Sequence, residues 1–303
     1  MKTKRKAVLV PVDFQEPSMH ALLFACELGK AVKAEIHLLF VITRMDIVSE
    51  LFRSGDELVK ITQEAKNRMT GLAEKYQKEF GLTFYSSVER GKPYEVILQQ
   101  ARLMHAYLIV VGDNHFGERG TKIMGSTINR VVRESRCPVI TVKQETDHLF
   151  DHIVVPVDLS KEASKQVFAA IALGMQHNAT IHLVSVVIGG IEAKESRIYQ
   201  KMKKLRETVE ENGIKCTSRL YDRSGESPYK KVLTYAREKK ADLILIMTHQ
   251  EGIQHDNYIG AFAYQIINES EMAVMTLTSR ASEIDVKKFL KKIIDPFGIF
   301  KLG

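Results

Sequence analysis

The feature that most constrains this chain is that it repeats itself. Ala7–Phe14, AVLVPVDF, returns 145 residues later as His152–Leu159, HIVVPVDL, and the spacing holds from Ala34–Ile42 to Ala179–Val187. Further on it shortens to 135: Lys92-Pro93-Tyr94 is answered by Ser227-Pro228-Tyr229, Ala106–Gly112 by Ala241–Met247, and Gly125 by Gly260. Segments that keep the same order of signals are copies of one domain, the second having lost ten residues after its second strand. At 303 residues the chain has length for two ordinary domains. The expected boundaries are 1–145 and 150–280, joined by the short polar stretch KQETDHLFDH and followed by a tail, 281–303.

Within the first copy, apolar runs alternate with stretches of helical period. Strands are expected at Val8–Val12, Ile36–Ile42, Thr83–Val88, Leu108–Val111 and Val139–Val142. Between them, Pro17–Val32 carries Met19, Leu22, Leu23 and Cys26, and Gly55–Phe80 carries Leu58, Ile61, Ala65, Met69 and Leu72 along one face. Pro93 opens a third helix, and Gly125-Ser126-Thr127 a fourth that Cys137-Pro138 stops. This alternation predicts the α/β class, with a five-stranded, doubly wound parallel sheet in each copy. A ligand crevice is then expected at the carboxyl ends of the strands.

Two stretches place chemistry at that end. Pro11-Val12-Asp13 closes the first strand, and its carboxylate can accept hydrogen bonds from the vicinal hydroxyls of a ribose. The same Asp also reads as a cap of the turn that follows. After the fourth strand come Gly112, a polar loop and Gly125-Ser126-Thr127 at a helix start. A loop of this kind brings backbone N–H groups and the positive helix end to one point, which suits a phosphate. Ser126 and Thr127 can donate hydroxyls to it or cap the helix they open; Arg119 and Lys122 read as solvated loop cations.

Together these residues resemble the universal stress protein family, whose nucleotide-binding members carry G-x2-G-x9-G-[ST] after the fourth strand. Gly112, Gly125 and Ser126 stand at the first Gly, the last Gly and the Ser, while His115 stands at the middle Gly. The resemblance implies strand order 3-2-1-4-5, adenine nucleotide (ATP) as ligand, Asp13 on the ribose, and Val41 as an apolar contact of adenine. It implies a stress-response module without catalytic activity, and pairing of the two copies through Val139–Val142 and Ala273–Leu277 about a pseudo-two-fold axis. In the second copy Asp158 remains, but Met247-Thr248-His249-Gln250 replaces G-x-x-G and Gly260-Ala261 replaces Gly-[ST]. That copy is expected not to bind ATP. The expected site is Pro11, Val12, Asp13, Val41, Gly112, His115, Gly125, Ser126 and Thr127. The alternative is a nucleotide-free scaffold that engages protein partners through its loops and tail.

Composition excludes other classes. Of the net charge of +7, Lys2, Lys4, Arg5 and Lys6 hold four and the tail two, so the body presents no basic groove for nucleic acid. Apolar stretches are too short for a membrane span, and MKTKRKAVLVPVD lacks a signal-peptide pattern, so a cytoplasmic location is expected. Cys26, Cys137 and Cys216 are isolated and predict inert thiols. His249, His255 and Asp256, like His148 and His152, match no zinc spacing and read as ordinary polar residues. Neither a G-x-S-x-G elbow nor a Walker lysine occurs, so no phosphoryl-transfer or hydrolase motif is present. In the tail, Val286, Phe289, Leu290, Ile293 and Ile294 share one helical face, with Lys287, Lys288, Lys291 and Lys292 opposite. Docking on this chain or a second subunit is expected in preference to membrane anchoring, and a homo-oligomer is the expected assembly.

Overall fold

The computed structural model describes residues 6–43, 55–113, 124–146, 149–159, 162–187, 197–221, 225–248 and 259–278. The chain divides into two compact units, Met1–Glu145 and Thr146–Gly303. Unit 1 runs β1 (Lys6–Pro11), α1 (Glu16–Val32), β2 (Ala34–Ile42), α2 (Gly55–Phe80), β3 (Phe84–Arg90), α3 (Pro93–Leu103), β4 (Leu108–Gly112), α4 (Ser126–Glu134) and β5 (Val139–Val142). Its strands lie parallel in the order β3-β2-β1-β4-β5. This is the doubly wound order expected.

Each strand forms for a visible reason. Val8, Leu9 and Val10 of β1 are wholly buried, as a strand covered on both faces requires, and each such side chain stabilises the fold by about 1.5–3 kcal/mol. β3, at the sheet edge, leaves Tyr85 and Ser86 exposed. Helix α1 carries Pro17 in its first turn and ends at Lys33 in a left-handed turn (φ 53°). In unit 2 the matching Asn178 has φ 53°, while His105 (φ 51°) and Lys240 (φ 50°) form a second matching pair. Backbone conformation therefore repeats even where side chains differ.

Helix α4 ends at Glu134, earlier than the Cys137-Pro138 stop expected from sequence. Ser135 ends it: the buried hydroxyl donates to Cys137 O at 2.7 Å and accepts the Cys137 N–H at 3.2 Å, giving the backbone an alternative to another helical turn.

Unit 2 runs β6 (His152–Pro156), α5 (Glu162–His177), β7 (Thr180–Val186), α6 (Arg197–Glu211), β8 (Lys215–Tyr221), α7 (Pro228–Glu238), β9 (Leu243–Met247), α8 (Ala261–Glu269) and β10 (Ala273–Leu277). Its parallel order, β10-β9-β6-β7-β8, is that of unit 1. A polar chain crosses its sheet. His152 Nδ1 lies 3.1 Å from His182 Nε2, His182 Nδ1 lies 2.7 Å from Thr217 Oγ1, and Thr217 Oγ1 lies 3.3 Å from Tyr235 Oη. His182 is only 4% exposed, and burial, followed by His152 and Lys239, pushes its pKa down to about 4. Burial raises the thiols of Cys26 and Cys216 to about 12 and that of Cys137 to about 11. Among the described residues no helix is long and apolar enough to cross a membrane. The tail expected to form an amphipathic helix lies outside them.

Candidate functional site

In unit 1 the chain leaves β1 on one side, towards β2, and β4 on the other, towards β5. The reversal opens a crevice at the carboxyl ends of β1 and β4. On the β1 side, Val12 N–H extends the ladder to Leu39 O at 2.9 Å, and Asp13 follows, exposed. Asp13 Oδ1 accepts the Gln15 N–H at 2.9 Å, its own N–H reaches Ser18 Oγ at 3.3 Å, and that hydroxyl donates to Gln15 O at 2.9 Å. Asp13 thus caps the turn into α1, and as an exposed carboxylate it keeps capacity for further donors. Between Asp13 and Gln15, Phe14 adopts a left-handed backbone (φ 63°). Its ring lies 5.5 Å from that of Phe40 and carries the Arg68 guanidinium 4.1 Å above its centroid, contacts that hold this disfavoured turn.

The two glycines on the β4 side serve different ends. A Cβ on Gly112 would fall 2.2 Å from the Pro17 carbonyl carbon and 2.5 Å from Ser18 N, so only glycine lets β4 pass the first turn of α1. Gly125 has an ordinary φ of −56°, and a Cβ there would meet open space, with Ile128 Cδ1 nearest at 4.0 Å. Among the described residues, no close neighbour demands glycine at this helix start. Among the described residues no side-chain cap is formed at that end; Ser126 is exposed and Thr127 half-buried. The first N–H groups of the helix lack intrahelical acceptors and form the positive pole of its dipole.

Between the glycines sits a pair that sequence reasoning missed. Asp113 and Lys143, with side chains 3% and 2% exposed, place Oδ2 and Nζ 3.7 Å apart. Burial pushes the Asp113 carboxyl upward, against the opposing pull of the Lys143 ammonium and the nearby Gly125 N–H. The Asp113 N–H donates to Val142 O at 2.8 Å, fixing β4 against β5. The available signal was the repeat itself: the equivalent positions in unit 2 are Thr248 and Thr278, both buried, and Thr248 N–H likewise donates to Leu277 O at 3.0 Å.

The other unit-2 equivalents differ in size and polarity. Met247, 8% exposed, stands where unit 1 has Gly112. The buried Gln166 amide, oriented to satisfy both neighbours, donates to Pro156 O at 3.2 Å and accepts the Met247 N–H at 2.8 Å, bridging the ends of β6 and β9. Unit 1 has Ala21 at that place. Gly260 keeps the geometry of Gly125 (φ −56°, ψ 144°), but Ala261 brings no hydroxyl.

Of the expected residues, Asp13 and Gly112 meet through Ser18, and Gly112 leads through Asp113 to Gly125, Ser126 and Thr127. Pro11 is half-buried and Val12 buried at the end of β1; Val41 is half-buried at the end of β2. His115, with Arg119 and Lys122, lies outside the described residues, as do His249, His255 and Asp256. Among the described residues no group of three or more His, Cys, Asp or Glu is placed to hold a metal ion.

A family model described as the Universal stress protein family matches residues 4–143 and again 149–277. Universal stress protein MJ0531 of Methanocaldococcus jannaschii is 26% identical over 142 residues, covering 46% of this chain and 82% of that protein. Universal stress protein MJ0577 of the same organism is 28% identical over 162 residues, covering 48% of this chain and 99% of the relative. The crystal structure of a universal stress protein from Archaeoglobus fulgidus superposes with a TM-score of 0.73 at 20% identity, covering 92% of this chain and 99% of the other, a likeness of fold.

Proposed function

Because this chain belongs to the universal stress protein family and carries its domain twice, we propose that it is a non-catalytic module that responds to adenine nucleotide, holding the ligand in unit 1 alone. One observation carries this reading: at equivalent places the two copies differ in chemistry. Gly125 is followed by the hydroxyls of Ser126 and Thr127, whereas its equivalent Gly260 keeps the same backbone geometry but is followed by Ala261 and Phe262, and Met247 and the Gln166 bridge stand where unit 1 has Gly112 and Ala21. In unit 1 the exposed Asp13 carboxylate accepts the ribose hydroxyls, with Pro11, Val12 and Val41 flanking the base. The N–H groups of α4 and the hydroxyls of Ser126 and Thr127 receive the phosphates. His115 stands in sequence at the middle glycine of the family's motif and is the departure that favours the scaffold alternative. The carboxylates at the crevice favour binding over turnover, since Asp13 is engaged in its own turn and Asp113 faces Lys143.

The test is mass spectrometry of small molecules released on denaturing the purified protein, with ATP titration and a phosphate-release assay alongside. The expected result is about one adenine nucleotide per chain, lost in Gly125→Val, with no sustained phosphate release. A parent protein that releases no nucleotide and binds none at millimolar ATP overturns the reading and leaves the protein-interaction scaffold in its place.

A further inference from the structure

We propose that Phe40 and Arg68 are positioning residues for the ribose end of the unit-1 site: they clamp Phe14 in its left-handed turn, and that turn aims the Asp13 carboxylate. This deepens the nucleotide reading above and rests on it.

The argument comes from comparing the copies. Among the described residues of unit 1, those other than glycine with positive φ are Phe14, Lys33 and His105. Lys33 and His105 recur in unit 2 as Asn178 and Lys240, whereas Leu159, at the place of Phe14, is not left-handed. Leu159 is exposed, and Ser185 stands where unit 1 has Phe40. The aromatic pair and the left-handed turn are thus found together in one copy and are both missing from the other.

A left-handed phenylalanine is disfavoured, because its Cβ crowds the backbone, and it persists only where its surroundings fix it. Its chain neighbours Asp13 and Gln15 are exposed, so the support comes from other elements. Phe40, towards the carboxyl end of β2, places its ring centroid 5.5 Å away, and Arg68 on α2 lays its guanidinium 4.1 Å from the Phe14 centroid. The fold itself does not require this turn, since unit 2 passes from β6 to α5 without it.

The turn has a local effect on the carboxylate. The hydrogen bond from Gln15 N–H to Asp13 Oδ1, 2.9 Å long, spans Phe14, so the backbone at Phe14 sets where the carboxylate points. The Asp13 N–H, 3.3 Å from Ser18 Oγ, ties the other side of the same residue to α1. With Oδ1 held by Gln15, Oδ2 is the oxygen offered to the vicinal hydroxyls. Arg68 lies on the Phe14 ring and therefore acts through it.

The experiment removes the clamp and leaves the residues of the turn in place. Calorimetric titration of the full chain compares ATP with 2′,3′-dideoxy-ATP, which lacks both ribose hydroxyls. The parent is expected to prefer ATP about tenfold. Phe40→Ala/Arg68→Ala is expected to bind ATP about tenfold more weakly and the dideoxy analogue within twofold of the parent, so that the preference disappears. If the double variant does not fold, Arg68→Ala alone, a change at an exposed residue, is expected to lose at least threefold of the preference. Adding Phe14→Gly to either variant is expected to bring ATP affinity back within twofold of the parent, because glycine takes this φ of 63° without support. A preference that survives removal of the clamp, or a loss that Phe14→Gly does not restore, overturns the proposal and leaves the nucleotide site standing. A parent that binds both nucleotides equally overturns the ribose contact and the proposal with it. A parent that binds neither overturns the nucleotide reading as well.

Discussion

His182 is held where a proton harms the fold. One ring nitrogen faces His152, the other Thr217, while the Tyr235 ring stands edge-on and Lys239 adds positive charge. With its pKa lowered from 6.5 to about 4, unit 2 has its full stability above pH 6.5 and loses it as pH falls towards 4, because the unfolded chain binds the proton more readily. The loss amounts to about 3 kcal/mol, read as a falling denaturation midpoint of unit 2 across that window. His182→Asn is expected to flatten the dependence. The glycines give a second test at this scale. Gly112→Ala drives a methyl into the backbone of α1 and is expected to cost unit 1 about 1–3 kcal/mol or more, whereas Gly125→Ala, facing open space, costs about 1 kcal/mol or less. Thermal melts of the two variants separate a packing glycine from one that keeps a binding surface clear. Sequence alone made them look alike, because a motif records the residue type and hides which neighbour demands it.

At the scale of elements, the same serine ends the same helix twice. Ser135 and Ser270 donate to Cys137 O and Met272 O and accept the N–H of those residues, and both are buried. Replacing either by Ala removes two hydrogen bonds, leaves a part-buried N–H without that acceptor and is expected to cost its own unit about 1–3 kcal/mol, measured by urea denaturation. The strands and helices were legible because apolar period and flanking proline report burial directly. Asp113, Lys143 and Gln166 were not: charged or amide residues beside loops read as solvated until the partner strand is known. The left-handed Phe14 was equally hidden, since its neighbours Phe40 and Arg68 come from distant elements.

At the scale of the whole molecule, two copies of one backbone have been given different chemistry. Unit 1 carries Ala21, Gly112 and Ser126 where unit 2 carries Gln166, Met247 and Ala261, and at the place of His182 in the histidine chain of unit 2 it carries His37, stacked on Tyr85. The ligand is therefore expected to act on unit 1 alone. ATP at a hundredfold excess over its dissociation constant should stabilise unit 1 by about 2.7 kcal/mol, seen as slower amide exchange in β1 and β4 with β6 and β9 unaltered.

The burial that raises all three thiols has a practical consequence. At neutral pH all three are held as thiols, so the chain reacts slowly with a maleimide dye at its own cysteines. A cysteine introduced as Ser126→Cys would sit exposed at the positive end of α4, where a thiolate is favoured, and should label alone. Its rate of labelling, slowed when ATP is added, would turn the molecule into its own fluorescent gauge of occupancy.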